Sequence, residues 1–136
     1  MRCFTHLDGP NNIFSFYRER VDLVDWDDSL SMSIGLLARI TGAGLGEYDG
    51  YLFGYDTASE NIFVNRVDND AGTPISPNGE SVPVVLDPSR DYRMVFNGDG
   101  PNFVGQVYDL DNLNAPLATI NGTDATYMQG ESCVLD

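Results

Sequence analysis

Cleavage of a glycosidic bond needs two carboxyl groups at a set separation, about 5–5.5 Å for retention and more for inversion. Residues two apart on a strand share a face, so an acid-x-acid spacing is where such a pair would be found. The chain offers Glu47-Tyr-Asp49 and Asp25-Trp-Asp27-Asp28. The first lies against the glycine-rich stretch Thr41-Gly-Ala-Gly-Leu-Gly-Glu, and no further glutamate follows until Glu60. The second contains no glutamate. Both read as solvated turn carboxylates, and the chain is not expected to be an enzyme. Nucleophilic catalysis is weaker still: His6 is the sole histidine, with no serine or cysteine motif beside it, and reads as an exposed polar residue.

Metal chemistry has thin support. One histidine and two cysteines, Cys3 and Cys133, do not make a zinc set. The cysteines are either free thiols or a bridge joining the two ends, which requires the terminal strands to be neighbours. Calcium takes several oxygens at once. Asp25/Asp27/Asp28, Asp68/Asn69/Asp70 and Asp109/Asp111/Asn112 could each supply some, but none has the glycine and terminal glutamate offsets of an EF-hand loop. No cofactor is expected, structural calcium is a minor alternative, and the metal ligands stay unassigned.

Sugar recognition suits the residue types best. Sugars present apolar C–H faces and hydroxyl edges, so a groove needs flat aromatic rings beside fixed donors and acceptors. Arg39, Tyr51, Tyr55, Arg66, Arg93, Gln106 and Tyr108 are the expected carbohydrate contacts, placed on an exposed sheet face by strands that hold them rigidly. An arginine in mid-strand needs water or a carboxylate partner. The competing reading packs Tyr51 and Tyr55 into the core with Phe53 and pairs the arginines with aspartates. Trp26 could stack on a sugar or cap the core.

The elements that must position these residues are short runs rich in Val, Ile, Phe and Tyr, punctuated by Gly, Pro, Asn and Asp. Ile13 to Val24 changes parity, since Phe14 and Phe16 alternate out of step with Val21 and Leu23, and this calls for a bulge or break. Ser31 to Ile40 puts Met32, Ile34, Leu36, Ala38 and Ile40 on one face and Leu37 and Arg39 on the other. Gly50 to Asp56 aligns Tyr51, Phe53 and Tyr55. Ile62 to Val67 follows, then a short run from Val82 to Leu86 in which Pro83 signals an edge. Asp91 to Phe96 aligns Tyr92, Met94 and Phe96 against Arg93 and Val95. After the turn signal Asn97-Gly-Asp-Gly-Pro-Asn, Phe103 and Val107 oppose Gln106 and Tyr108. Leu117 to Ile120 and Ser132 to Leu135 close the series, and Asp87 to Arg90 is long enough for a single helical turn. Alternation with one buried face predicts antiparallel sheets stacked face to face: an all-β, two-sheet β-sandwich of the jelly-roll kind, with a closed barrel as the competitor.

The whole is one domain, residues 1–136, at 14.9 kDa. Seven arginines and no lysine stand against 16 aspartates and 5 glutamates, a formal net charge of -14. Such a surface repels phosphate backbones and anionic lipid, which argues against nucleic-acid and membrane roles. No apolar run reaches the roughly 18 residues of a membrane span. The acidic surplus fits either a salty or extracellular setting or solubility alone. Met1-Arg-Cys-Phe-Thr-His lacks the apolar stretch of a signal peptide. A secreted location is expected, with any export signal not in this chain.

Four stretches in order resemble the bacterial domains of the concanavalin A-like lectin/glucanase superfamily, the laminin-G-like jelly rolls. They are Val21-Asp-Leu-Val-Asp-Trp; Gly35-Leu-Leu-Ala-Arg-Ile; Asp49-Gly-Tyr-Leu-Phe-Gly-Tyr-Asp with Ile62-Phe-Val-Asn-Arg-Val; and Tyr92-Arg-Met-Val-Phe-Asn-Gly through Gly105-Gln-Val-Tyr-Asp-Leu. Ala125-Thr-Tyr-Met-Gln-Gly fits as well. The resemblance implies a twisted sandwich with one concave face, whose members bind sugars, hydrolyse glycans or serve as adhesion modules. The chain departs from the pattern at both ends: the opening strand is reduced to Met1–Leu7, and the last, Glu131-Ser-Cys-Val-Leu-Asp, stops early. Shortening exposes sheet edges. The expected function is therefore a non-catalytic carbohydrate-binding or adhesion module. The alternative is a structural or protein-interaction module that forms homo-oligomers, such as a homo-dimer, through its edges or faces.

Overall fold

The computed structural model describes the backbone of residues 2–4, 16–41, 48–128 and 131–135, and the side chains of 18–41 and 48–128. His6 and Glu47 lie outside the described residues, as do the side chains of Cys3 and Cys133.

Eleven strands are described: β1 (Arg2–Phe4), β2 (Phe16–Leu23), β3 (Ser33–Thr41), β4 (Asp49–Asp56), β5 (Asn61–Asp68), β6 (Ala71–Pro74), β7 (Val82–Pro83), β8 (Tyr92–Asp99), β9 (Asn102–Asp109), β10 (Ala118–Thr123) and β11 (Glu131–Leu135). They form two antiparallel sheets. One runs β1-β11-β3-β4-β5-β6, with β7 also paired to β5; the other runs β10-β9-β8-β2. This is the expected two-layer sandwich with jelly-roll character. The run at Val82 pairs with Asn61 and Ile62 over two residues, at an edge, a position that suits Pro83 because its nitrogen has no N–H to donate. Asp87 to Arg90 is a turn closed by the Arg90 N–H donating to the Asp87 carbonyl.

The inner faces follow the alternation. Ile34, Leu36 and Ala38 of β3, Tyr51, Phe53 and Tyr55 of β4, and Ile62 and Val64 of β5 meet Tyr92, Met94 and Phe96 of β8, Phe103 and Val107 of β9, and Ala118 and Ile120 of β10. Burying each such large side chain contributes roughly 1.5–3 kcal/mol. Gly105 lets the layers close: a Cβ there would stand 2.5 Å from Cδ1 of Phe53.

Two expectations about parity are corrected. From Phe16 to Leu23, β2 pairs with β8 without a register shift, so no bulge or break divides that stretch, and Ile13 and Phe14 lie outside the described residues. Its inner positions are Glu19, Val21 and Leu23, opposite Phe96, Met94 and Tyr92. β3, read as regular, is the strand with a bulge, between Ala38 and Thr41. Arg39 there takes a φ of 52°, and parity flips. Ile40 leaves the main core to join Leu37 beneath Tyr48 and Leu52 on the other side of the sheet. Arg39 turns inward instead. Gly50 opposes the bulge, where a Cβ would fall 2.5 Å from Cδ1 of Ile40 and 2.8 Å from the Ala38 carbonyl oxygen. Only glycine fits.

β2 places a carboxyl on the inner face, Glu19. Burial pushes the Glu19 carboxyl up to about 8, and its Oε1 has no hydrogen-bond partner.

Candidate functional site

The outer face of the four-stranded sheet collects the polar half of the alternation. Register arranges it in rows across the strands. Asp22, Arg93 and Tyr108 form the first; Arg20, Val95, Gln106 and Thr119 the second; Arg18, Asn97, Val104 and Asn121 the third. With strands about 4.8 Å apart and same-face neighbours about 7 Å apart along a strand, these rows span about 14 Å in each direction. That is room for a short stretch of an extended chain ligand.

Side chains on this face hold one another. Arg93 donates through Nε and Nη2 to the two carboxylate oxygens of Asp22, at 2.7 and 3.0 Å. These bonds hold the Asp22 carboxyl below its ordinary range against the opposing effect of burial, and the Arg20 charge adds to them. The Tyr108 hydroxyl donates to Gln106 Oε1 at 3.0 Å, and Gln106 Nε2 reaches Thr119 Oγ1 at 3.4 Å. Val95 is only 2% exposed although it points away from the core. Arg18 and Arg20 are exposed. Together with Asp99, which follows Asn97 on the same face, the rows carry three of the chain's seven arginines and two aspartates, on a protein of formal net charge -14.

Arg93, Gln106 and Tyr108 are therefore brought together on one outer face. The other four nominated residues are not there. Tyr51 and Tyr55 are 0% and 2% exposed and belong to the core, which corrects the expectation that they line a surface. Both satisfy their hydroxyls inside: Tyr55 Oη accepts from the Leu86 N–H at 3.3 Å, and Tyr51 Oη donates to Asp124 Oδ1 at 2.7 Å. Arg39 is 3% exposed. It reaches the Gly100 and Tyr127 carbonyls through Nη1 at 2.8 and 3.1 Å, with its guanidinium 4.8 Å from the Phe103 ring centre.

Arg66 lies in the same network. Its Nε donates to Asp68 Oδ2 and its Nη1 to Asp124 Oδ2, each at 2.8 Å. Tyr127 donates to Asp68, and the Tyr127 N–H donates to Tyr51 Oη at 3.0 Å. Burial alone would push the Asp124 carboxyl up, but hydrogen bonds from Tyr51, Thr126 and Arg66 outweigh it and hold the group below its ordinary range. Hydrogen bonds from Tyr127 and then Arg66 lower Asp68 likewise. This cluster ties the two layers at one end of the sandwich, and its donors and acceptors are largely spent on each other.

Trp26 caps the opposite end. It donates to the Arg90 carbonyl at 2.8 Å and stands edge-on to Tyr55 and Tyr92, with ring centres 6.3 and 6.0 Å away. The acidic clusters hold the backbone and arginines. Asp27 accepts from the Ser29 N–H and hydroxyl, Asp49 from the Asn69 N–H, and Asp109 from Arg90 and the Asp111 N–H. Among the described residues no group of three or more His, Cys, Asp or Glu is arranged to hold a metal ion. Asp22 is the carboxylate of the first row, and Asp99 continues the same face beyond the third, opposite Asn102.

Sequence reasoning missed Arg18, Arg20, Asp22, Asn97 and Thr119 as members of this face. The signal was the alternation Arg18-x-Arg20-x-Asp22, legible once Val21 and Leu23 are taken as inward.

Neither a family model nor a curated protein sequence matches the chain. Among solved structures, the chain is similar to the carbohydrate-binding module CBM66 from Bacillus subtilis, at 15% identity over 89% of this chain and 86% of that one, with a TM-score of 0.49.

Proposed function

We propose that this chain is a non-catalytic carbohydrate-binding module of the adhesion type, acting outside the cell, and that its ligand lies across the outer face of the four-stranded sheet. One observation carries the reading: on a strongly acidic protein, this face gathers Arg18, Arg20, Arg93, Gln106 and Tyr108 in register on rigid strands. Arginine and glutamine supply donors to hydroxyl or carboxylate oxygens, and the tyrosine ring supplies a flat apolar surface. The arginine surplus favours acidic glycans over neutral ones. The concanavalin A-like resemblance agrees with a sugar-binding face but does not choose it.

The test is a glycan array with purified protein, followed by titration of the best ligands at two salt concentrations. Tyr108→Ala and Arg20→Glu should each weaken binding at least tenfold while leaving the melting midpoint within a few degrees. Binding unaffected by both substitutions, or turnover of a glycan, sinks the proposal.

A second reading, a protein-interaction module, has its own observation. Val24, Leu30, Met32, Val85, Leu113 and Leu117 are exposed, and all lie in the loops at the Trp26 end of the sandwich. Sedimentation separates the two: a dimer indifferent to every glycan favours interaction, and a glycan-binding monomer favours recognition of sugar.

A further inference from the structure

β1 and β11 are antiparallel neighbours at the end of the larger sheet. Their register sets Cys3 directly opposite Cys133, flanked by Arg2 opposite Val134 and Phe4 opposite Ser132. Directly opposed residues of an antiparallel pair have Cα atoms about 4.5–5.5 Å apart. A disulfide spans Cα separations of about 4.4–6.8 Å, so the backbone placement meets its requirement. The chain contains no other cysteine, so no other intramolecular connectivity competes.

We propose that Cys3 and Cys133 are joined by a disulfide that fastens β1 to the larger sheet. β1 is three residues long and stands last in its sheet order, next to β11. A strand that short makes few ladder bonds and frays readily, so a covalent tie to β11 is what keeps it paired. The bond closes nearly the whole chain into one loop, the arrangement that restricts the unfolded ensemble most.

The bond forms by exchange with an external disulfide such as oxidised glutathione. One cysteine thiolate attacks that disulfide, makes a mixed disulfide and releases one glutathione thiol. The second cysteine thiolate then displaces the other glutathione. Two protein thiols are oxidised, and one external disulfide is reduced to two thiols. The bond persists only where the surroundings are oxidising.

The test uses the full chain equilibrated with oxidised or reduced glutathione. After unfolding in denaturant, the oxidised chain should show no titratable thiol and a monomer mass about 2 Da below the reduced form. Proteolysis without reductant should yield a peptide pair containing Cys3 and Cys133. The oxidised protein should melt on the order of 10 °C above the reduced one. Cys3→Ser with Cys133→Ser should abolish that difference. Two titratable thiols in the oxidised chain, or covalent dimers in place of the internal bond, overturn the proposal. If the double variant fails to fold, the thiol count and mass of the wild-type chain still decide.

Discussion

Arg66 and Asp124 join the two layers of the sandwich: the guanidinium Nη1 of a strand in the larger sheet lies 2.8 Å from a carboxylate oxygen just beyond the last strand of the smaller one. Asp124 also takes the Tyr51 hydroxyl and the Thr126 N–H. Removing it takes the nearest acceptor from the buried Tyr51 hydroxyl and leaves Arg66 with Asp68 as its remaining carboxylate partner.

Asp124→Ala should therefore lower stability by about 2–4 kcal/mol, read from urea unfolding. The acid limb tests the same network. Asp124 and Asp68 both titrate below their ordinary range in the folded protein. A carboxyl with a depressed folded pKa contributes stability that is present above the ordinary value near pH 4 and lost as pH falls through the folded value. Asp124→Asn should be less stable at neutral pH and flatter below pH 4, and an unchanged acid limb would remove Asp124 from the network.

Glu19 has the opposite sign. Its folded pKa is raised to about 8 from an ordinary 4.5, so the folded state holds a proton that the unfolded chain has released between those values. Its contribution is complete below pH 4.5 and falls as pH rises to about 8. Glu19→Gln should flatten the melting midpoint across pH 5–8 and stabilise the protein by about 1–3 kcal/mol at the upper end. An equally steep decline in the variant would place the titrating group elsewhere.

Two tyrosines separate core from surface. Tyr55→Ala empties a site in the sandwich interior and should lose about 3–5 kcal/mol in denaturant unfolding. Tyr108→Ala should lose less than about 1 kcal/mol, because its ring lies on the outer face. Equal losses would contradict the assigned faces.

Gly50→Ala tests the bulge. The new methyl group would meet the Ala38 carbonyl, part of the backbone, and the native φ of 153° is rare for any residue with a side chain. A loss of about 2–3 kcal/mol is expected from thermal or urea unfolding, and a neutral effect would mean that the bulge can relax.

The layers were legible because alternation reports burial directly. Tyr92, Met94 and Phe96 against Arg93 and Val95 sorted correctly, as did Phe103 and Val107 against Gln106 and Tyr108. Tyr51 and Tyr55 were open to two readings because tyrosine is amphipathic: its ring suits a core once a partner takes the hydroxyl, and the partners, Asp124 and the Leu86 N–H, are 73 and 31 residues away in sequence. Arg39 was unreadable for another reason. A bulge shifts parity by one, and the only local cue was Gly50 on the neighbouring strand. The face around Arg20 was hidden by Phe14 and Phe16, whose parity pointed to a break that β2 lacks from Phe16 onward.

The bulged arginine also has a mechanical consequence. Arg39 grips the carbonyl of Gly100, the turn of the hairpin whose two arms bear Arg93, Gln106 and Tyr108. Sliding β4 by one residue along β3 would carry a side chain into the space that Gly50 leaves for Ile40, so that pairing is indexed like a tooth in a notch. The hairpin is anchored to that fixed point from within, and the polar array on its far side keeps its spacing when the solvent-facing loops move.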